Sequence, residues 1–315
     1  MKILITGVHG FVGSNLVKAL SKEHEIYGLD IIAPKKDEVK FTFGWNDLVG
    51  GEIPDVDAII HLAGKAHDIK NQSAAEVYFN VNTELTKKIY DYFLKSSAKK
   101  FIFFSSVKAV ADRVEGEFLD ENAEPKPVGP YGESKMAAET AIMENEDLRV
   151  KNHKEVYILR PCMIHGPGNK GNLNVLYSVV KSGIPWPFGA FDNKRTFTSI
   201  GNLCYIIEGL LTKNIESGVY NINDDEAVSM NDEVIKIICE AMGKKAHIWR
   251  VPRCFMVAFA KLGGLLHLPF NPDRLQKLTE NYVSSNAKIK KALGVDKLPI
   301  RAKDGLIFTI KSFNL

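Results

Sequence analysis

Tyr131 and Lys135 are the two residues whose types and spacing point most directly to chemistry. A separation of four residues places both side chains on one face of a helix, one turn apart. A phenol ordinarily titrates near pH ~10, and a cation held beside it favours the phenolate. The pair could therefore move a proton to or from a substrate hydroxyl or ketone. Such pairs also occur on solvated helix surfaces, so the spacing alone leaves both interpretations open.

A glycine-rich turn near the N-terminus indicates a site for a phosphate group. The apolar run of residues 2–6 predicts a buried parallel strand, and apolar residues then recur at helical spacing through Leu20. Gly7, Gly10 and Gly13 lie at the start of this region, in the spacing G-x-x-G-x-x-G. They would let the backbone approach a pyrophosphate, whose charge the helix N-terminus attracts. A glycine-rich turn without a ligand is the alternative.

Asp30 ends a second predicted strand, residues 25–29, at the distance from the glycines where a carboxylate accepts from an adenosine ribose. It would repel a 2′-phosphate, which favours NAD over NADP. Lys35 and Lys36 follow closely and act against this preference. A carboxylate that caps the strand end on a solvated loop is the alternative for Asp30.

Composition limits the possible classes of protein. The 315 residues include 45% hydrophobic and 25% charged residues, which is typical of a soluble globular protein with one large or two modest domains. The net charge of +3 is too balanced to indicate nucleic acid. The four cysteines include no C-x-x-C pair, so neither zinc nor disulfides are expected. We expect no metal, no signal peptide and no membrane span, and we expect residues 254–268 to form a buried or interface helix.

Strand and helix patterns alternate through the first half of the chain, which predicts an α/β fold with a doubly wound parallel sheet. Further strands are predicted at residues 57–62, 100–105, 156–160 and 218–222. Helices are predicted at residues 72–97, 131–147, 205–211, 230–242 and 287–293.

Several motifs occur together along the chain. They are Thr6-Gly7-x-x-Gly10-Phe11-x-Gly13, Asp30, His61-Leu62-Ala63-Gly64, Asn80, Ser105-Ser106, Tyr131-x-x-x-Lys135, Leu159-Arg160-Pro161, Gly166-Pro167-Gly168 and Asn193-Lys194-Arg195. With them, nearly the whole chain resembles the extended short-chain dehydrogenase/reductase family, and within it the nucleotide-sugar epimerases and reductases. The resemblance implies a Rossmann-type NAD-binding domain at residues 1–165, to which 191–225 return. It implies a smaller nucleotide-sugar-binding domain at 166–190 and 226–315.

The resemblance also implies which residues bind NAD and carry the chemistry. The implied cofactor-binding residues are Gly7, His9, Gly10, Phe11, Val12, Gly13, Asp30, Ile31, Leu62, Ala63, Gly64, Asn80, Tyr131, Lys135 and Pro161. Asn80 would support the sheet near the cofactor. Lys135 would bind the nicotinamide ribose and lower the pKa of Tyr131, the general acid/base. Ser106 would orient the substrate oxygen.

Ser105 competes with Ser106 for the last role. Strand alternation sends their side chains to opposite faces, so only one can reach the site. Ser106 precedes Tyr131 by 25 residues, a separation typical of the family, and is the preferred candidate. Ser105 is then expected to be a hydrogen-bonded hydroxyl in the core.

Matches on the substrate side are fewer. The implied substrate-binding residues are Lys108, Asn172, Leu173, Arg195 and Lys277. A guanidinium suits bidentate recognition of a diphosphate, whereas Arg195 and Lys277 could also be solvated surface residues. Val107 and Lys108 stand where the 4,6-dehydratases carry an Asp-Glu pair, which weighs against dehydration.

The resemblance favours an NAD-dependent 4-epimerase of a UDP-hexose or UDP-N-acetylhexosamine, acting through a transient 4-keto intermediate. The alternatives are an NAD(P)H-dependent reductase of a UDP-4-keto-6-deoxy-hexosamine and a dinucleotide-binding module without catalysis. A UDP-linked sugar is the expected partner, with a cytoplasmic location and a possible homodimer.

Overall fold

The computed structural model describes residues 1–66, 74–169, 171–268 and 270–314. The strands are β1 (Lys2–Thr6), β2 (Glu25–Leu29), β3 (Phe41–Phe43), β4 (Ala58–His61), β5 (Lys100–Phe104), β6 (Glu155–Pro161), β7 (Met163–His165), β8 (Lys194–Arg195), β9 (Phe197–Ser199), β10 (Gly218–Ile222) and β11 (Val228–Ser229).

The helices are α1 (Phe11–Leu20), α2 (Asp47–Gly50), α3 (Ala75–Tyr78), α4 (Leu85–Lys95), α5 (Gly129–Met143), α6 (Glu146–Lys151), α7 (Asn172–Lys181), α8 (Ile200–Thr212), α9 (Glu233–Ala241), α10 (Arg253–Leu265), α11 (Pro272–Thr279), α12 (Ala287–Leu293) and α13 (Ala302–Lys311). A π-helical turn, Phe79–Glu84, joins α3 to α4, and a 3₁₀ turn, Val107–Ala109, follows β5. The helix predicted over residues 72–97 is thus divided, and its first two residues lie outside the described chain.

Seven of the described strands form one parallel sheet in the order β10-β6-β5-β4-β1-β2-β3. The chain moves outward from β1 to β2 and β3, then returns to β4 on the other side of β1 and continues outward to β10. The order therefore reverses between β1 and β4, the place where doubly wound folds open a crevice for a ligand. The predicted fold class is confirmed.

Helices cover both faces of the sheet, as its fully apolar strands require. Every residue of β4 is buried, and in β1 and β5 all residues are buried except the first, Lys2 and Lys100. Helices α1, α8 and α12 pack against one face and α4 and α5 against the other. The sheet is consequently a rigid platform whose strand ends position the site.

A second hydrophobic cluster lies apart from the sheet. It is formed by α7, α9, α10, α11 and α13, which bury Leu173, Ile238, Met256, Leu275 and Leu306 together. Helix α12, which the predicted boundaries assign to the substrate domain, packs instead in the cluster under the sheet. The domain boundaries themselves remain a prediction.

Helix α10 is less covered than its apolar sequence suggests. Met256, Ala260 and Gly263 are its buried residues, and most of its other side chains are exposed. No helix in the described ranges combines the length and the apolar character needed to cross a bilayer. The sequence pattern predicted an apolar helix here correctly, but it did not reveal that one face would stay uncovered.

Candidate active site

The turn after β1 is built for close approach of backbone to backbone. Gly7 has a φ of +68°, a conformation that favours glycine, and a Cβ on it would lie 3.0 Å from the amide nitrogen of Ala63. A Cβ on Gly13 would lie 2.4 Å from the carbonyl oxygen of Gly7. Larger residues at either position would push α1 away from the sheet. The N-terminus of α1 has no side-chain cap and no acidic residue in its first turn, so its N–H groups suit an anion.

Asp30 lies half-buried at the end of β2 and faces the same turn. One carboxylate oxygen accepts from the backbone nitrogen of His9 at 3.0 Å, and the other accepts from Ile31 at 2.7 Å. The carboxylate thus ties the glycine turn to β2. The side chain of Ile31 is fully solvated on the rim, and His9 bonds to Thr42 of β3 through Nε2 at 3.0 Å. His9 therefore serves the turn rather than acting as a base.

A buried hydrogen-bond network fixes the end of β4. His61 joins Thr6 of β1, through Nδ1 at 2.7 Å, to Thr86 of α4, through Nε2 at 2.9 Å. The same Thr6 hydroxyl accepts from the backbone nitrogen of Ala63 at 3.0 Å. Burial, with a smaller contribution from the nearby Lys135 ammonium, lowers the pKa of His61 to about 3. His61 is therefore neutral, and it holds the Leu62-Ala63-Gly64 segment against the glycine turn.

The support predicted for Asn80 is supplied by Asn82. Asn80 is exposed, whereas Asn82 is fully buried in the π-helical turn. Asn82 accepts from the backbone nitrogen of Lys65 at 2.8 Å and donates to the Ser134 hydroxyl at 3.0 Å. Two residues apart on a helical turn point to nearly opposite sides, so only one of the two asparagines can face the sheet. The prediction chose the wrong one for this role.

Ser106 and Tyr131 meet beyond the carboxyl end of β5. Ser106 begins the 3₁₀ turn, where its hydroxyl accepts from the backbone nitrogen of Lys108 at 3.2 Å. It also hydrogen-bonds the phenol of Tyr131, which lies in the first turn of α5. The two elements can approach because Gly132 has no side chain: a Cβ there would lie 2.5 Å from the Lys108 carbonyl oxygen. The structure thus brings together two of the three predicted catalytic groups.

Lys135 lies one turn further along α5 and is buried. Its ammonium donates to the carbonyl oxygen of Phe104, the last residue of β5, at 2.8 Å. Burial lowers the pKa of Lys135 to about 8, and Glu139 counteracts part of this effect. The ammonium therefore keeps its charge at neutral pH while lying at the strand end that also carries Ser106.

The expected lowering of the Tyr131 pKa is not what the structure shows. Burial raises the pKa of Tyr131, the hydrogen bond from Ser106 lowers it in part, and the neighbouring Tyr78 raises it further. The rings of Tyr78 and Tyr131 meet edge to face, with centroids 6.3 Å apart. The phenol is therefore protonated at neutral pH in this arrangement.

Ser105 points away from the site, into a buried charged network. Its hydroxyl donates to Glu139, and Arg160 of β6 forms an ion pair with the same carboxylate at 2.6 Å. Glu139 lies on α5, one turn after Lys135. The network thus fastens α5 to β5 and β6 from behind, which matches the core role expected for Ser105. Pro161, the last residue of β6, is buried at the same edge of the sheet.

The predicted substrate residues fall into two groups. Lys108 lies 4.6 Å above the ring of Tyr282 and pairs with Asp112 at 2.8 Å. Arg195 donates to the backbone carbonyl of Lys277, and Tyr282 pairs with Arg195 through a backbone bridge. Lys108, Arg195 and Lys277 are thus linked through a single small region.

Asn172 and Leu173 belong to the second group, at the start of α7. Asn172 is exposed, and the side chain of Leu173 is buried in the second hydrophobic cluster. Leu173 can therefore offer a ligand only its backbone. Nε of Arg195 is buried without a hydrogen-bond partner among the described residues, and the guanidinium lies 3.9 Å from the Glu280 carboxylate.

A profile of the NAD-dependent epimerase/dehydratase family matches residues 3–223. The chain belongs to that family. Membership confirms three expectations: the resemblance to extended short-chain dehydrogenase/reductases, an enzyme, and NAD as its cofactor. The roles of the individual site residues remain predictions.

The chain aligns with curated relatives over nearly its whole length. It is 31% identical to UDP-glucose 4-epimerase of Vibrio cholerae, over 99% of this chain and 95% of the relative. It is 27% identical to N-acetyl-α-D-glucosaminyl-diphospho-ditrans,octacis-undecaprenol 4-epimerase of Escherichia coli O157:H7, over 92% of this chain and 84% of the relative. The crystal structure of UDP-glucuronic acid 4-epimerase from Bacillus cereus in complex with NAD has the same fold, with a TM-score of 0.74 and 21% identity, over 100% of this chain and 99% of the other.

The residues at the reversal of strand order fit NAD. Gly7 and Gly13 let the turn after β1 pack closely against the Ala63 backbone and α1, and the uncapped N-terminus of α1 suits the pyrophosphate. Asp30 would face the adenosine ribose, and Lys135 the nicotinamide ribose. With Lys135 at the nicotinamide ribose, its ammonium would also lie close to Tyr131.

Sequence reasoning missed the residues that position the site. They are Thr6, Asn82, Thr86, Gly132, Ser134, Glu139 and Arg160. Thr6 and Arg160 stood in the recognised motifs without an assigned role, and Gly132 and Ser134 lay unassigned between Tyr131 and Lys135. Hydrogen bonds between residues far apart in the chain have no local pattern, so a single sequence could not reveal the others.

Proposed function

We propose that this protein is an NAD-dependent 4-epimerase of a UDP-linked hexose or N-acetylhexosamine. The observation that carries the proposal is the hydrogen bond between Ser106 and Tyr131 at the carboxyl end of β5, with Lys135 one turn further along α5. The names of the relatives from V. cholerae and B. cereus, both 4-epimerases of UDP-sugars, support the same reaction.

The reaction requires this chain's residues to transfer a proton at the C4 oxygen and to leave room for the intermediate to rotate. Ser106 and Tyr131 would both hydrogen-bond the oxygen on C4 of the sugar, so that the C4 hydroxyl proton passes to Tyr131 as the bond to oxygen gains double-bond character. NAD, when bound, supplies the acceptor and later the donor of the C4 hydride. The pocket must then let the 4-keto intermediate rotate, so that hydride returns to the opposite face of C4 and Tyr131 gives the proton back.

Tyr131 must lose its proton more readily than it does in this structure. Its pKa is raised by burial, and a cation near the phenol is the means of lowering it again. Lys135, charged at neutral pH, can provide it when its ammonium turns from the Phe104 carbonyl toward the ribose and the phenol. Cofactor binding would thus prepare the base.

The diphosphate of the substrate would lie against the region of Arg195 and Lys277. Arg195 offers a buried guanidinium donor, and Lys277 is exposed one helix away. Guanidinium groups bind phosphate oxygens in a fixed fork, which gives orientation as well as affinity. This would place the sugar between that region and Tyr131.

A lipid-linked sugar is a second candidate substrate. The E. coli relative is named for a sugar on undecaprenyl diphosphate, and the exposed apolar side chains of α10 favour it here. Both candidates share the sugar diphosphate that Arg195 would bind.

Turnover without added cofactor tests the proposal. The purified protein should retain dinucleotide and interconvert UDP-galactose with UDP-glucose, or the N-acetyl pair, with no net loss of NADH. Deuterium placed on C4 should remain on C4 in the product, because the same hydride leaves and returns. The undecaprenyl diphosphate-linked N-acetylhexosamine should be offered in parallel.

Two results would contradict the proposal. Stoichiometric oxidation of NADH with a UDP-4-keto-6-deoxy-hexosamine, without interconversion of the UDP-sugars, would identify a reductase. Bound dinucleotide with no turnover of any of these sugars would identify a module without catalysis.

A further inference from the structure

The surface around α10 combines exposed apolar side chains with unopposed positive charge. Eight of the twenty-three exposed large apolar side chains of the described residues lie within 249–268, so the exposure is concentrated rather than scattered. They are Trp249, Phe255, Val257, Phe259, Leu262, Leu265, Leu266 and Leu268. We call this set the α10 surface. Soluble proteins rarely expose so many large apolar groups together without a binding role.

The exposed side chains follow the period of the helix. Phe255, Phe259 and Leu262 are spaced i, i+4 and i+7 and share one face. The buried stripe of Met256, Ala260 and Gly263 lies about a quarter turn away and fastens α10 to the second hydrophobic cluster. The helix is therefore anchored on one side and presents another to the surroundings.

The charge of this region is strongly one-sided. Residues 244–277 contain seven lysines and arginines and one acidic residue, Asp273, although the whole chain carries only +3. Within the described chain, none of the seven forms an ion pair with a carboxylate. Lys261 of α10 and Arg274 of α11, the helix packed against it, are exposed. The partner of this surface must therefore be both apolar and negatively charged.

We propose that the α10 surface docks this protein onto an anionic lipid bilayer. Helices that lie in the membrane interface carry Trp, Phe and Leu on one face with Lys and Arg beside them, and they bind through apolar burial together with attraction to anionic headgroups. A second copy fits less well. A twofold interface would bring the same basic surface against itself, with a single acidic residue on each side to compensate.

Docking in this way goes beyond the proposed reaction and does not depend on it. Helix α11, which packs on α10, carries Lys277 of the predicted diphosphate region. Docking would consequently hold that region near the headgroup layer, where diphosphates attached to lipids are found.

Vesicle flotation with the full-length protein tests the proposal. Vesicles of phosphatidylglycerol and phosphatidylethanolamine in equal parts should carry the protein, and vesicles of phosphatidylcholine alone should not. The double variants Phe255→Ser/Phe259→Ser and Lys261→Glu/Arg274→Glu should each bind about tenfold more weakly or worse, since each basic residue near an anionic surface contributes measurably to binding. Raising the salt concentration should weaken wild-type binding.

Matched controls separate docking from folding. Phe41→Ser removes an equally exposed aromatic from β3, and Lys22→Glu/Lys151→Glu reverses two exposed charges elsewhere. Both should float like the wild type, and all variants should keep the wild-type near-ultraviolet circular dichroism. No flotation of the wild type, or equal flotation of all variants, would overturn the proposal. The proposal would also be overturned if the wild type did not bind vesicles and instead formed a dimer, detected by light scattering, that Phe255→Ser/Phe259→Ser dissociates.

Discussion

At the scale of single residues, the site depends on how two hydroxyl groups are distributed. Ser106 reaches Tyr131, and Ser105 reaches Glu139 on the other side of the same backbone. Strand alternation and the 25-residue separation from Tyr131 were sufficient to predict this division. The raised pKa of Tyr131 was not predictable, because the phenol is buried by contacts with residues distant in the sequence, Tyr78 among them.

Replacing Tyr131 with phenylalanine removes the proton-transfer group and leaves the ring. We expect kcat to fall by about 10²- to 10⁴-fold, the usual contribution of general acid–base catalysis, with dinucleotide still retained. Measuring turnover and the absorbance of bound dinucleotide on the same sample checks both parts. Ser105→Ala serves as the comparison, since its hydroxyl faces the core. A Tyr131→Phe enzyme with wild-type kcat would contradict the assignment of the base.

At the scale of secondary structure, the sequence predicted most elements that carry the site. The strands at residues 2–6, 25–29 and 218–222 and the helix at 287–293 have the predicted bounds. β3 was missed because a strand of three residues has too short a pattern to detect. The π-helical turn that divides α3 from α4 likewise left no signal, and it decides that Asn82 rather than Asn80 faces the sheet.

The contact between α5 and the 3₁₀ turn should be disturbed by a single methyl group added at Gly132. In Gly132→Ala the new Cβ would overlap the Lys108 carbonyl oxygen, so α5 must shift away from Ser106. A displacement of about 1 Å costs on the order of 10²-fold in rate. We therefore expect a large loss of kcat with a small loss of stability, measured by steady-state kinetics and thermal unfolding. Thr140→Ala, on the exposed side of the same helix, should leave kcat unchanged.

The two asparagines of the π-helical turn offer a matched pair. Asn82→Ala removes hydrogen bonds to Lys65 and Ser134 inside the protein, which should lower the free energy of unfolding by ~2 kcal/mol. It should also weaken dinucleotide binding, because the backbone after Gly64 loses its support. Asn80→Ala, at an exposed position of the same turn, should do neither. Urea unfolding and titration with NAD give the two readouts, and equal effects in both variants would refute the distinction.

At the scale of the whole molecule, the neutral, buried His61 at the end of β4 makes the free energy of unfolding depend on pH. Its pKa is about 3 in the folded protein, against an ordinary value near 6.5. The unfolded chain binds the proton more readily, so this contribution is fully present above pH ~6.5 and is lost as the pH falls toward 3. It amounts to roughly 5 kcal/mol at most.

The free energy of unfolding, measured in urea at several pH values, should therefore decline below pH ~6.5. A shallower decline in His61→Gln would attribute the effect to this residue. Should that variant fail to fold, the imidazole signals of the wild type provide the same information: His61 should stay neutral down to about pH 4. Titration of His61 near pH 6.5 would contradict the assignment.

The position of β10 at the open side of β6 has a consequence during synthesis. A nascent chain that has left the ribosome only as far as residue 217 can pair β1 to β6 but leaves the outer N–H and C=O groups of β6 unsatisfied. Such an exposed strand recruits other chains by continuing the ladder. Fragments that end before residue 218 should therefore aggregate more readily than the 315-residue chain, in which β10 pairs with β6. β10 covers the longer β6 and leaves an edge of only five residues on this side of the sheet.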